Sequence, residues 1–107
     1  MTGDSTLGGY FEVHQRPPAF EGVDGRAYSA AIYVDEIDGS EGRFGAALLF
    51  IRWTAAGTEP EGHLETDYLV FGGTTIEAEQ GIRGLTLHQV KEHLDRVVAG
   101  AALRREW

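Results

Sequence analysis

Apolar and polar positions come in strand-length blocks over the first two-thirds of the chain, and then the period changes. Residues 10–15 (YFEVHQ) alternate weakly and predict a first strand. Pro17 and Pro18 stop it, because proline cannot donate to a sheet ladder. A loop through Phe20, Gly22 and the turn pair Asp24-Gly25 follows. Residues 26–37 (RAYSAAIYVDEI) predict a long second strand, and Asp38 to Gly42 (DGSEG) a hairpin connection. Residues 44–54 (FGAALLFIRWT) make the most apolar strand. The Gly- and Pro-containing stretch 56–62 makes the next turn, and residues 63–71 (HLETDYLVF) a fourth strand ended by Gly72-Gly73.

Beyond residue 73 the spacing becomes helical. Thr74 with Glu77 fits a capping box, in which side chains satisfy free amides at a helix start. It opens a short helix over residues 75–83, which Gly84 terminates. Thr86 with Gln89 opens a longer one. Leu87, Val90, Leu94, Val97, Val98 and Ala101 recur at spacings of three and four and form one stripe. Gln89, Glu92, His93 and Arg96 fall on the other side, and Gly100 is expected to fray the helix. The predicted class is α+β. A four-stranded antiparallel, meander-like sheet is followed by a short and a longer C-terminal helix packed on one face. Residues 1–8 read as a disordered tail, 9–102 as a single domain and 103–107 as a frayed tail.

Side chains alternate across a strand, so each strand can be split into faces. In the third strand Phe44, Ala46, Leu48 and Phe50 share one face, and Gly45, Ala47, Leu49, Ile51 and Trp53 the other. In the second, Tyr28, Ala30, Ile32 and Val34 oppose Ala27, Ser29, Ala31, Tyr33 and Ile37. Both faces are apolar, whereas a sheet covered on one side shows a polar face to water. The helices cover one face, so the other needs a cover. The first expectation is a second copy of the chain, with Leu49, Ile51 and Trp53 as interface anchors. The others are the 16–25 loop folded back as a lid, or an apolar ligand held between sheet and helix.

Charge sharpens this picture. The net charge is −8, and all of it belongs to residues 1–73, where four arginines stand against twelve acids. That half would repel a polyanion, so nucleic acid is not an expected partner; the acidity either maintains solubility or suits a basic protein partner. Cysteine is absent, which removes disulfides, thiolate metal sites and cysteine nucleophiles. The N-terminus has neither the basic region nor the apolar run of a signal peptide, and no apolar stretch nears the ~20 residues that span a bilayer. The expected location is cytoplasmic, with no membrane partner.

The titratable residues point to no definite chemistry. Glu12 and His14, and separately His63, Glu65 and Asp67, are two apart and would share a strand face, a spacing that suits metal ligation or proton exchange. His88, Glu92 and His93 read H-x-x-x-E-H rather than the zinc-binding H-E-x-x-H, and His93 turns away from His88. Glu92 and Arg96 have the spacing of a helical ion pair. Gly72-Gly73-Thr74 lacks the lysine of a phosphate-binding loop, and Ser5, Ser29 and Ser40 lack a nucleophile-elbow context. No catalytic residue, metal or cofactor is assigned. If a small molecule binds between sheet and helix, His14, Tyr33, His63 and Tyr68 are its candidate contacts.

The runs GRAYSAAIYVDEI (residues 25–37) and GTTIEAEQGI (residues 73–82) are similar in rhythm to HicB-type antitoxins, which carry a strand after a turn and later a G-D-T-x-E-E-A helix start. The match covers about a quarter of the chain. Thr75 and Ile76 depart from the motif, and an apolar strand stands where the family has a proline-rich segment. The resemblance implies neutralisation of a basic ribonuclease toxin. The residues themselves favour a small non-enzymatic accessory or regulatory protein that acts through protein contacts as a homodimer. The alternative is a small-molecule-binding domain or small enzyme.

Overall fold

The computed structural model describes residues 5–39 and 41–103. Their elements are α1 (Leu7–His14), β1 (Ala19–Glu21), β2 (Ala27–Glu36), β3 (Phe44–Trp53), β4 (Pro60–Glu65), β5 (Val70–Gly72), α2 (Thr75–Arg83) and α3 (Leu87–Leu103). The class is α+β. The sheet is antiparallel, with β1 to β4 in meander order and β5 as a fifth strand paired to β3.

Two sequence expectations change at the N-terminus. The first strand is a helix instead. α1 opens at Thr6, whose hydroxyl accepts from the Gly9 amide at 3.0 Å, and closes at Gln15 in the left-handed region (φ 53°). Tertiary contact explains the override. The Leu7 amide donates to the Leu85 carbonyl at 2.8 Å, and the Leu87 amide to the Ser5 carbonyl at 3.1 Å. Leu7 is fully buried, and a Cβ on Gly8 would come within 2.9 Å of the Arg83 Cβ. Residues 5–8 of the expected tail are therefore tied to the α2–α3 connection, while 1–4 lie outside the described residues. The second change is β1, which forms inside the expected 16–25 loop. It lengthens the sheet rather than folding over it, and Phe20 pairs with Tyr28 on the core side.

The predicted fourth strand is two strands on one neighbour. Leu64 pairs with Phe50 in β4, and Val70 pairs with Ala46 in β5. Between them the Thr66 hydroxyl accepts from the Leu48 amide at 3.0 Å and donates to the Asp67 carbonyl at 2.8 Å. A side chain there takes the place of a ladder bond, and the chain leaves and rejoins the edge of β3.

Both capping motifs form. The Thr74 hydroxyl accepts from the Glu77 amide at 3.0 Å, and the Glu77 carboxylate accepts from the Gly73 amide at 2.7 Å, one residue ahead of the cap. Thr86 and Gln89 are reciprocal, at 2.9 and 3.1 Å. α3 does not fray at Gly100; it continues to Leu103, and 104–107 lie outside the described residues. The stripes of α2 (Ala78, Ile82) and α3 (Val90, Leu94, Val98, Ala101) bury against one sheet face with Tyr28, Ala30, Ala46, Leu48, Phe50 and Leu64. Among the described residues no helix is long and apolar enough to cross a membrane.

Candidate functional site

Register places the second sheet face residue by residue. Ala31 stands opposite Leu49, Ser29 opposite Ile51 and Tyr33 opposite Ala47 across β2 and β3; Glu65 and His63 stand opposite Leu49 and Ile51 across β4. None of these side chains belongs to the core that the helices close. On this side, which no helix covers, Gly45 and Ala47 are buried, while Leu49, Ile51 and Trp53, together with Ala31 and Tyr33, are half-buried.

The ends of this face are held by specific contacts. At one end the Trp53 indole donates to the Ser29 hydroxyl at 2.7 Å, beside a register shift in β3 between Ile51 and Trp53. At the other end Tyr68 lies over Gly45, where a Cβ would come within 2.6 Å of its ring. Its hydroxyl donates to Asp35 at 3.0 Å, and Phe71 meets it edge-on at 6.3 Å, with the Arg43 guanidinium 5.1 Å above the Phe71 ring. Phe71 is 49% exposed, so the patch reaches the sheet margin. The bond to Asp35 raises the Tyr68 phenol above its ordinary value. Burial, and then the charge of Glu65, pushes Tyr33 up to about 12. Both phenols are neutral at physiological pH, and Tyr68 donates to one of the acids that rim the face.

A second feature lies between β4 and α3. His63, Glu65, Thr66, Asp67, His93 and Arg96 surround an open groove of about 610 Å³. Burial and the neighbouring Arg96 hold the His93 imidazole below its ordinary value.

The candidate ligand residues do not converge. Tyr33 and Tyr68 belong to the uncovered face, and His63 borders both that face and the groove. His14 is on α1, stacked on Tyr10 at 4.2 Å. Because α1 is helical, Glu12 and His14 do not share a face as a strand would require. Asp67 falls past the end of β4, beyond His63 and Glu65. On α3 the tight ion pair is Lys91 with Asp95 at 2.6 Å, and the expected Glu92–Arg96 pair is not made among the described residues. His88 approaches Glu92 at 3.9 Å. Among the described residues no three His, Asp or Glu side chains gather as a metal site would need.

Sequence reasoning missed one network. Arg52 is only 9% exposed, and its guanidinium donates to Asp24 at 3.1 Å, to the Tyr28 hydroxyl at 3.1 Å and to Glu61 at 2.7 Å. Tyr28 in turn donates to Asp24 at 2.7 Å, and Arg26 also pairs with Glu61. The even position of Arg52 in β3 was the available signal, since it puts the residue on the core face with Phe50. These contacts of Arg52 are internal to the fold, and the network seals one end of the core.

No family model, no curated protein and no solved structure matches the chain.

Proposed function

We propose that this protein is a non-enzymatic contact module, accessory or regulatory in role, that closes its uncovered sheet face on a second copy of itself. The observation that carries the reading is the row Leu49, Ile51 and Trp53, extended by Tyr33, Tyr68 and Phe71, on a face against which no helix packs. Single exposed apolar residues need no explanation, but a contiguous apolar patch rimmed by polar groups marks a contact site. A two-fold axis sets the same patch of both copies face to face, and stacked sheets pack about 10 Å apart with side chains interdigitated. A cytoplasmic location and an antitoxin-like role against a basic partner are compatible with this arrangement. Sedimentation velocity at micromolar concentration tests it. Wild type is expected to run as a dimer and Trp53→Arg as a monomer. Two monomers of unchanged solubility would remove the reading.

The groove between β4 and α3 favours a second reading, a small-molecule site in which Arg96 and the neutral His93 offer donors and Glu65 and Asp67 offer acceptors. Free amino acids, which carry both charges, are the probes. A binder should raise the unfolding midpoint of wild type more than that of Arg96→Ala, and equal shifts would exclude the site.

A further inference from the structure

We propose that the outer edge of β2, from Ile32 to Glu36, takes up an extended basic segment of a partner protein as an added strand. The proposal does not rest on the dimer reading, because it uses an edge of the sheet rather than its face.

The edge is open for a geometric reason. β1 is three residues long and pairs only with residues 27–29, and its last bond runs from the Ala30 amide to the Pro18 carbonyl at 3.0 Å. In an antiparallel ladder the amide and carbonyl of alternate residues point to the same neighbour. Even-numbered residues of β2 therefore point toward β1, and odd-numbered ones toward β3. Pro17 and Pro18 turn the chain away into α1, so the amides and carbonyls of Ile32, Val34 and Glu36 find no ladder partner among the described residues. An unpaired edge is a template for another strand, and proteins commonly block one with a bulge, a proline or an inward lysine. β2 has none of these here, and its register with β3 is continuous from Tyr28 to Glu36.

The surroundings suit a strand with alternating side chains. A groove of about 630 Å³ runs beside this edge, with Phe11, Pro17, Ile32 and Val34 among its walls. Every second side chain of an added strand would enter it, and those between would lie beside Tyr33 on the open face.

Charge selects the occupant. Asp35, Glu36 and Glu79 have no cationic partner among the described residues, and Glu79 lines the groove. The two arginines of the groove are already engaged. Arg83 reaches the Gly8 carbonyl at 3.3 Å, Glu12 at 3.8 Å and the Phe11 ring at 5.6 Å, and Arg16 lies 5.7 Å from the Tyr10 ring. A second copy paired edge to edge would bring Asp35 and Glu36 of both chains together, on molecules that each carry −8. A strand bearing Lys or Arg between apolar residues satisfies the same edge without that repulsion.

The test uses a fluorescent peptide in which valine alternates with lysine, the same peptide with glutamate for lysine, and a version N-methylated at alternate amides. The lysine peptide should bind the full-length protein and slow amide exchange at Ile32, Val34 and Glu36. The glutamate and N-methylated peptides, and the variant Glu36→Lys/Glu79→Lys, should each weaken binding by about tenfold or more. Trp53→Arg should bind as wild type does, which separates this edge from the face. The proposal is overturned if no lysine peptide binds at millimolar concentration, if it binds with those amides unchanged, or if N-methylation has no effect. It is also overturned if the three amides are already protected in a concentration-dependent way without peptide, since the occupant would then be a second copy.

Discussion

At the scale of single residues, the buried Arg52 network decides how one end of the core is closed. Burial raises the Asp24 carboxyl, but hydrogen bonds from Tyr28, the Arg26 amide and Arg52 outweigh it and hold the group below its ordinary value. Burial, followed by the bond to Asp24, pushes Tyr28 up to about 12. Truncating Arg52 leaves Asp24 and the Tyr28 hydroxyl without their shared donor, which costs more than the pairing itself contributes. Arg52→Leu should lower unfolding stability by about 2–4 kcal/mol in urea titrations. Asp24→Asn, which keeps an acceptor, should cost about 1 kcal/mol. The pH dependence follows from the lowered Asp24 value. Its contribution is full above about pH 4, the unfolded value, and is lost as pH falls through the folded value. Asp24→Asn should therefore flatten the acid limb of the stability curve. An unchanged limb would mean that other carboxylates set it.

At the scale of elements, legibility followed how local the deciding forces are. α2 and α3 were readable because their caps and stripes lie within a few residues of one another. Thr86 and Gln89 bond as their spacing implies. α1 was not, because what holds it is Leu7 buried against the α2–α3 connection, some 80 residues away in sequence. Of residues 10–15 only Tyr10 and Phe11 are half-buried and the rest are exposed, so their weak alternation recorded little of what holds the helix. The split of the fourth strand was hidden for a similar reason, since the Thr66 hydroxyl bonds a strand 18 residues back. The docking of α2 on β5 rests on a glycine whose role is equally non-local. A Cβ on Gly81 would come 2.3 Å from Val70 Cγ1, and a β-branched side chain in a strand has few other rotamers. Alanine favours a helix over glycine by about 1 kcal/mol. Overpacking costs about 1–3 kcal/mol, so Gly81→Ala should destabilise despite the better helix former. In a Val70→Ala background the same change should become neutral or stabilising. A double-mutant cycle with no coupling would show that α2 is not held at this contact.

At the scale of the whole molecule, the reading of two apolar faces in residues 44–54 agrees with the even-numbered side buried under helices and the odd-numbered side left without one. The free edge of β2 could not be read from the chain, because it depends on β1 being short and on where the prolines turn. The two surfaces respond oppositely to salt, and this separates them. Closing the face on a copy brings together two molecules of net charge −8, a repulsion that salt screens as the Debye length falls from about 10 Å at 0.1 M to about 3 Å at 1 M. Docking of a basic strand on the edge instead relies on attraction and weakens with salt. Self-association should therefore tighten from 0.1 to 1 M sodium chloride, and the unfolding midpoint should rise with protein concentration. At a hundredfold excess over the dissociation constant, the gain is about 2.7 kcal/mol. In Trp53→Arg the concentration dependence should vanish, while any gain from screening within the monomer persists. A wild-type midpoint that stays constant with concentration at both salt levels would leave the odd-numbered face open to water and end the case for a dimer.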